Sequence, residues 1–212
     1  MGGHLGIIEI LGIAASVSLL SGWRLYLCVL ATGLAMRSGL VPLPAHLAAL
    51  QVLANPWVLG AAGLAATLEF LADKVMWLDT VWDTVHTLIR PLGGALLALA
   101  LIDPADPATQ AVAFILGGGA SLLAHGGKAS ARAVVNASPE PFSNVAVSAA
   151  EDVATGGLLY LAYAYPVLAA GIALIVALGA AALLVLAWRV LRRVFMRVPG
   201  EAGALPTPPS EA

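Results

Sequence analysis

Charge is scarce in this chain. Ten Lys and Arg and twelve Asp and Glu make up 10% of 212 residues, where a soluble domain carries about a quarter. Cysteine occurs once, at Cys28, which excludes an internal disulfide framework and a Cys-rich metal site. Cys28 itself reads as a small apolar residue within a helix. Residues 1–10 contain no Lys or Arg. The apolar run from Leu5 is also far longer than a signal-peptide core, so a cleaved leader is not expected. No spacing matches a zinc-hydrolase helix, a serine nucleophile elbow or a phosphate-binding glycine loop. No stretch outside the apolar runs is large enough for a nucleotide- or nucleic-acid-binding domain.

What remains is apolar: 60% hydrophobic residues and a mean hydropathy of +0.94. Several runs reach the roughly 20 residues that cross a bilayer, Tyr165 to Trp188 most plainly. The fold class is therefore all-α, a polytopic transmembrane helix bundle of about six spans. The integral-membrane region covers 5–197, and a Pro-, Gly- and Ala-rich tail, read as disordered, covers 198–212.

In chain order, Leu5 to Met36 is too long for a straight span and is expected to break at Ser21-Gly22. Just beyond sits Arg24, the one basic residue deep in this run, which must snorkel or meet a carboxylate. Pro42 and Pro44 mark a connection. Ala45 to Ala54, with His46 at the membrane surface, forms a short interfacial helix. Trp57 to Ala72 is the next span. Thr80 to Ile102 is either one span with a polar inner face or an interfacial segment followed by a helix opened by Pro91; the span is favoured. After the Asp-Pro turn at 103–107, Ala108 to His125 spans, with Gly117-Gly118-Gly119 permitting close helix approach. Ser138 to Pro141 is a loop. A helix with a polar stripe then runs to Ala164, and Pro166 to Arg189 is the last span. The Arg189, Arg192, Arg193 and Arg197 cluster places the C-terminus in the cytoplasm. The order of parts in 5–103 is similar to that in 107–197, as in two inverted three-helix repeats. The small-residue faces at Gly171/Ala173 and Gly179 to Ala182 suit either a homodimer or packing within one chain.

The chemistry concentrates in one place. Six of the 22 charged residues fall between Glu69 and Arg90. Asp79, Asp83, His86 and Arg90 recur at helical spacing along one face, and the opposite face from Trp77 to Ile89 is apolar. Glu69 and Asp73 share a face upstream, and Glu151 and Asp152 form a second acidic pair. These carboxylates and imidazoles suit a proton relay or a bound divalent cation of the Mg²⁺, Ca²⁺ or Mn²⁺ class. No other cofactor is indicated. Five bases (Arg24, Lys74, Arg90, Lys128 and Arg132) are candidate counter-charges, and pairing them with the acids is the alternative to ion binding. His86 reads as a partner of Asp83 rather than a metal ligand. His125, Asn136, Asn144 and Ser148 are supporting polar groups.

Glu69-Phe-Leu-Ala-Asp73-Lys74, Asp79-Thr-Val-Trp-Asp83, Ile89-Arg90-Pro91, Gly93-Gly94-Ala95, His125-Gly-Gly-Lys128, Arg132, Asn136, Ser138-Pro139, Asn144, Ser148 and Glu151-Asp152 together resemble Domain of Unknown Function 4126. That resemblance covers about residues 10–190 and implies a bacterial, multi-pass inner-membrane protein with no settled activity. A fainter likeness is to cation/proton exchangers carrying Glu-x-Gly-Asp-Lys-Thr/Ser. Here the acids lie one residue further apart, Ala72 stands for the glycine and Val75 for the hydroxyl residue. Three functions remain in view: a small transporter or channel for cations or protons, a structural or assembly protein whose ion pairs serve folding, and a membrane-embedded enzyme on lipid-linked substrates. The first is preferred, with the lipid bilayer as the surrounding partner.

Overall fold

A computed structural model describes residues 7–39, 51–100, 107–135 and 141–195. The expected short helix at 45–54, with His46, lies outside these residues except for 51–54, which form a single tight turn. The 103–106 turn, Asn136, the Ser138 loop and the C-terminal tail lie outside them. Six α-helices make up the described chain: α1 (Ile7–Arg37), α2 (Pro56–Ala72), α3 (Met76–Ala100), α4 (Pro107–Val135), α5 (Pro141–Ala164) and α6 (Pro166–Phe195). Four of these begin at a proline, whose fixed φ suits the first helical position and whose missing N–H is not needed there. At α2 the preceding Asn55 completes the cap, its side chain accepting from the Trp57 N–H at 2.9 Å.

Helices α1, α4, α5 and α6 are each long and apolar enough to cross a membrane. Helix α2, with 17 residues, is shorter, and α3 carries too much charge to stand out by hydropathy. Its two faces explain why. Asp79, Asp83, His86 and Arg90 are buried, while Trp77, Val81, Val85, Leu88, Leu92 and Leu96 are 53–75% exposed. Charge inside and hydrocarbon outside reverses the order in a water-soluble helix, and it is the arrangement lipid requires. This chain is an integral membrane protein.

Helix α1 is the axis of the bundle and packs against each of the other five. Of its most apolar stretch 67% is buried inside the protein, against 17–22% for α4, α5 and α6. Ile13, Val17, Leu20, Leu25 and Cys28 form the main core with Leu97 of α3, Leu159 and Ala162 of α5 and Ala169 of α6. Small residues set how closely the helices approach. A Cβ on Gly22 would lie 2.1 Å from the Ser121 carbonyl oxygen, and one on Gly117 would lie 2.4 Å from the Ala98 Cβ. Hydroxyls fill the same seam. Ser18 donates to the Gly94 carbonyl at 3.0 Å, Ser21 meets Ser121 at 3.1 Å, and Ser121 donates to the Arg90 carbonyl at 2.8 Å. The glycine triplet thus serves packing at Gly117 and Gly118, while Gly119 faces open space.

One expectation needs correction, and two open readings are resolved in part. The break in α1 falls at Arg24 itself (φ −142°, ψ 75°), not at Ser21-Gly22, because those two residues are locked into the α4 seam in helical geometry. At Pro91 the structure agrees with the favoured reading of one continuous helix rather than the alternative of a helix opened there. The proline lies inside α3, where its missing N–H leaves the Thr87 carbonyl without a helical donor yet does not end the helix. Of the small faces on α6, Ala173 and Ala180 are buried within the chain and Gly127 packs on Ala180, whereas Gly171 and Gly179 have no neighbour.

The close approach at Gly22 gives a first prediction. Gly22→Ala forces backbone apart and should cost about 1–3 kcal/mol of overpacking, seen as a lower Tm in detergent. Gly63→Ala, with open space around it, should leave Tm unchanged.

Candidate functional site

From the break, the Arg24 guanidinium meets the end of α2 and the middle of α5. It pairs with Asp73 and, at 2.5 Å, with Asp152, and it comes within 3.9 Å of Glu151. Asp73 occupies the tight turn after α2, whose backbone is held by Asp73 N–H to the Glu69 carbonyl (3.1 Å) and Asp79 N–H to the Val75 carbonyl (2.8 Å). That turn brings the last acids of α2 against the first acids of α3. From α4, Lys128 lies 2.8 Å from Asp73, 3.6 Å from Asp83 and 3.8 Å from Glu151. One turn on, Arg132 is nearly equidistant from three carboxylates: 3.4 Å from Asp73, 3.4 Å from Asp79 and 3.5 Å from Glu151.

Arg90 closes the other side. It donates to Glu69 at 2.9 Å and Asp83 at 2.7 Å. Lys74 joins Asp152 at 2.8 Å and Ser148 at 2.6 Å. Glu69, Asp73, Arg90 and Asp79 are at most 1% exposed, and Asp152, the most open of the acids, is 21% exposed. Six carboxylates and five bases from five helices thus share one interior.

The polar supports fall into place around this centre. Arg132 donates to both the carbonyl and the side-chain oxygen of Asn144 (3.1 and 2.6 Å), while Asn144 Nδ2 and Arg132 Nη2 both donate to the Asp73 carbonyl at 3.2 Å. This ties α5 to the α2–α3 turn. His125 accepts from Arg90 at Nδ1 (2.8 Å), since a guanidinium can only donate. Its proton is therefore on Nε2, 3.1 Å from Thr87 Oγ1. His86 is not a partner of Asp83. Its Nδ1 lies 2.7 Å from the Trp82 carbonyl, which fixes the proton there, and its Nε2 meets the Tyr26 hydroxyl at 2.9 Å. The ring also stacks on Trp82 at 4.4 Å between centroids. Tyr26, Thr87 and Ser121 are contributors the sequence did not single out. The signal for Tyr26 was its place two residues beyond Arg24; Ser121 had only the excess of hydroxyls in otherwise apolar helices.

The carboxylates of Asp73, Asp79 and Asp83 each bring an oxygen within 4.8 Å of the other two. That trio has oxygen chemistry suited to a cation, but Lys128 and Arg132 already stand against it. A cleft of about 220 Å³ opens beside the trio between α3 and α4, bordered by Asp79, Asp83, Thr84, Thr87, His125 and Arg132. A larger cavity of about 770 Å³ lies between α1, α2 and α3, and its wall is almost wholly apolar.

The family model described as Domain of unknown function (DUF4126) matches residues 11–193. The chain belongs to that family. The match takes in all five helices of the charged centre of this DUF4126 protein and stops just short of the end of α6. No curated protein and no solved structure matches it.

The pair Arg90–Glu69 offers a test of how the centre is balanced. Removing one partner of a buried pair costs about 3–5 kcal/mol, because the other charge is stranded, whereas removing both is far milder. Arg90→Met should lower Tm strongly. Arg90→Met with Glu69→Leu should recover part of the loss, Asp83 keeping Lys128. A double variant less stable than the single one would contradict the pairing.

Proposed function

We propose that this protein is a small ion transporter or channel in which the charged centre carries protons or cations across the membrane. It sits in the bacterial cytoplasmic membrane with the basic end of α6 on the inner side. The observation that carries this reading is the convergence of Glu69, Asp73, Asp79, Asp83, Glu151 and Asp152 on one lipid-shielded interior with one acid more than bases. Ionisable groups in a membrane interior are expensive and, where they occur, mark ion pathways. Lys128 and Arg132 each stand within 4.0 Å of three acids. Such a base exchanges partners by small rotations, so a passing cation or proton takes the place it leaves.

A second reading has its own support. Every one of the six carboxylates has a base within 4.0 Å, which is what a centre built only for folding would need.

Purified protein in liposomes decides between them. Transport predicts cation or proton flux well above empty vesicles, reduced at least about tenfold (some 1.4 kcal/mol) by Glu69→Gln or Glu151→Gln in variants that remain folded. Wild-type flux equal to empty vesicles across alkali cations, ammonium and protons would leave the folding role.

A further inference from the structure

Helix α1 holds 31 residues, which laid straight would run roughly 46 Å, well beyond a hydrocarbon core of about 30 Å. Its contacts show that it is not straight. A Cβ on Gly12 would lie 2.7 Å from the Pro166 carbonyl oxygen, at the junction of α5 and α6. Arg24 reaches Asp152, in the middle of α5, at 2.5 Å. Thr32 then hydrogen-bonds the Tyr163 hydroxyl, back at the junction end of α5. Asp152 and Tyr163 are roughly 16 Å apart along that helix. The arm of α1 before Arg24 therefore runs down α5, and the arm after it runs up again.

The other neighbours agree. The first arm is antiparallel to α3: Ser18 donates to the Gly94 carbonyl at 3.0 Å, and Arg90 donates to the Gly22 carbonyl at 3.4 Å. The returning arm lies against the first turn of α2, where a Cβ on Gly33 would be 2.8 Å from Leu59 Cδ2. Measured from the break, the two arms extend roughly 26 and 20 Å, so neither is long enough to cross. Irregular backbone at membrane depth must be covered by protein, and Ser21, Arg24, Leu25 and Cys28 are at most 5% exposed.

The returning arm also forms one wall of the 770 Å³ cavity. Leu53, Ala100 and Gln110, all beside helix ends, form its rim. Its inner end, at Tyr26, Ala65 and Gly93, stops within one turn of Arg24, Glu69 and Arg90. The 220 Å³ cleft lies beyond the Arg90 pairings, between the first turns of α3 and the last turns of α4. Asp83 and His125, which both meet Arg90, are in its lining.

We infer that α1 is a re-entrant hairpin that enters and leaves by one membrane face with Arg24 at its tip, and that the charged centre is approached from both faces, through the apolar cavity on that face and the α3–α4 cleft on the other. Five helices follow in alternation, so Ile7 and Arg37 share one face and the end of α6 lies at the opposite one. The hairpin stands on contacts alone. The two approaches rest on the transport reading above, since a centre built only for folding needs neither.

The test labels single cysteines of the full chain, in a Cys28→Ala background, with a membrane-impermeant maleimide in right-side-out and inside-out vesicles. A cysteine placed ahead of Met1 and Ser38→Cys should react from the same face, and Arg193→Cys from the opposite one. Gln110→Cys should react from the Ser38 face and Thr84→Cys from the Arg193 face, each losing its reaction when the reagent is on the other side. Independently, spin labels at Leu11→Cys and Leu34→Cys, both exposed, should stand at least about 10 Å closer than the roughly 35 Å of a straight helix. A separation near that straight-helix value, or reaction of the leading cysteine and Ser38→Cys from opposite faces, overturns the hairpin. If Gln110→Cys and Thr84→Cys react from one face, or either does not react, the two-sided approach is overturned. Labelling as expected in a protein that carries no ion into liposomes would uphold this architecture and remove the transport role, so the two failures are distinct.

Discussion

Eleven charges share an apolar bundle, and the fold depends on how they are compensated. An isolated ion in hydrocarbon costs about 2.5–3.5 kcal/mol or more, so each helix of this centre is stabilised by the partners that compensate its charges. Arg24 is the pivot. It sits on a helix that packs against all five others, at the point where that helix departs from regular geometry, and it joins the α2 turn to α5 through Asp73 and Asp152. The close seam between α1, α3 and α4, made by Gly22, Gly94, Gly117 and three serines, brings the centre's long side chains within reach of one another. Packing and electrostatics therefore constrain the same helices from two directions.

Much of this was written in the residues. The reversed amphipathicity of α3 follows from the recurrence of Asp79, Asp83, His86 and Arg90 at spacings of four, three and four against a wholly apolar back. The starts of α2, α4, α5 and α6 are signalled by proline. The candidate acids and bases could be named because charge is so rare here that each one stands out. Pairing was not legible, since which base meets which acid depends on helix rotations that periodicity does not specify. His86 shows this: its sequence neighbour Asp83 was the natural partner, yet a stacked Trp82 and the Tyr26 hydroxyl from α1 hold the ring instead. The break in α1 was misplaced for a similar reason. Ser21 and Gly22 look like weak points in isolation, but tight contact with Ser121 keeps them helical and leaves the distortion to Arg24, where ion pairs offset its cost.

A centre of this kind can be both scaffold and machine. Lys128 and Arg132, each shared among three carboxylates, make many contacts of moderate length rather than one short one, which stabilises the bundle yet keeps alternatives close in energy. The short, nearly dry pair between Arg90 and Glu69 is the rigid pole. On the cleft side, Asp79 and Asp83 border an opening lined also by Thr84, Thr87 and His125.

The claim beneath all of this is that α1 and α5 are energetically joined through the shared centre. A double-mutant cycle on Arg24→Met and Asp152→Leu measures that link directly. The account predicts a coupling of about 1 kcal/mol or more between residues 128 positions apart, with the paired variant much less unstable than the sum of the single ones. Strict additivity of the two losses would mean that the charges do not meet, and would contradict the account.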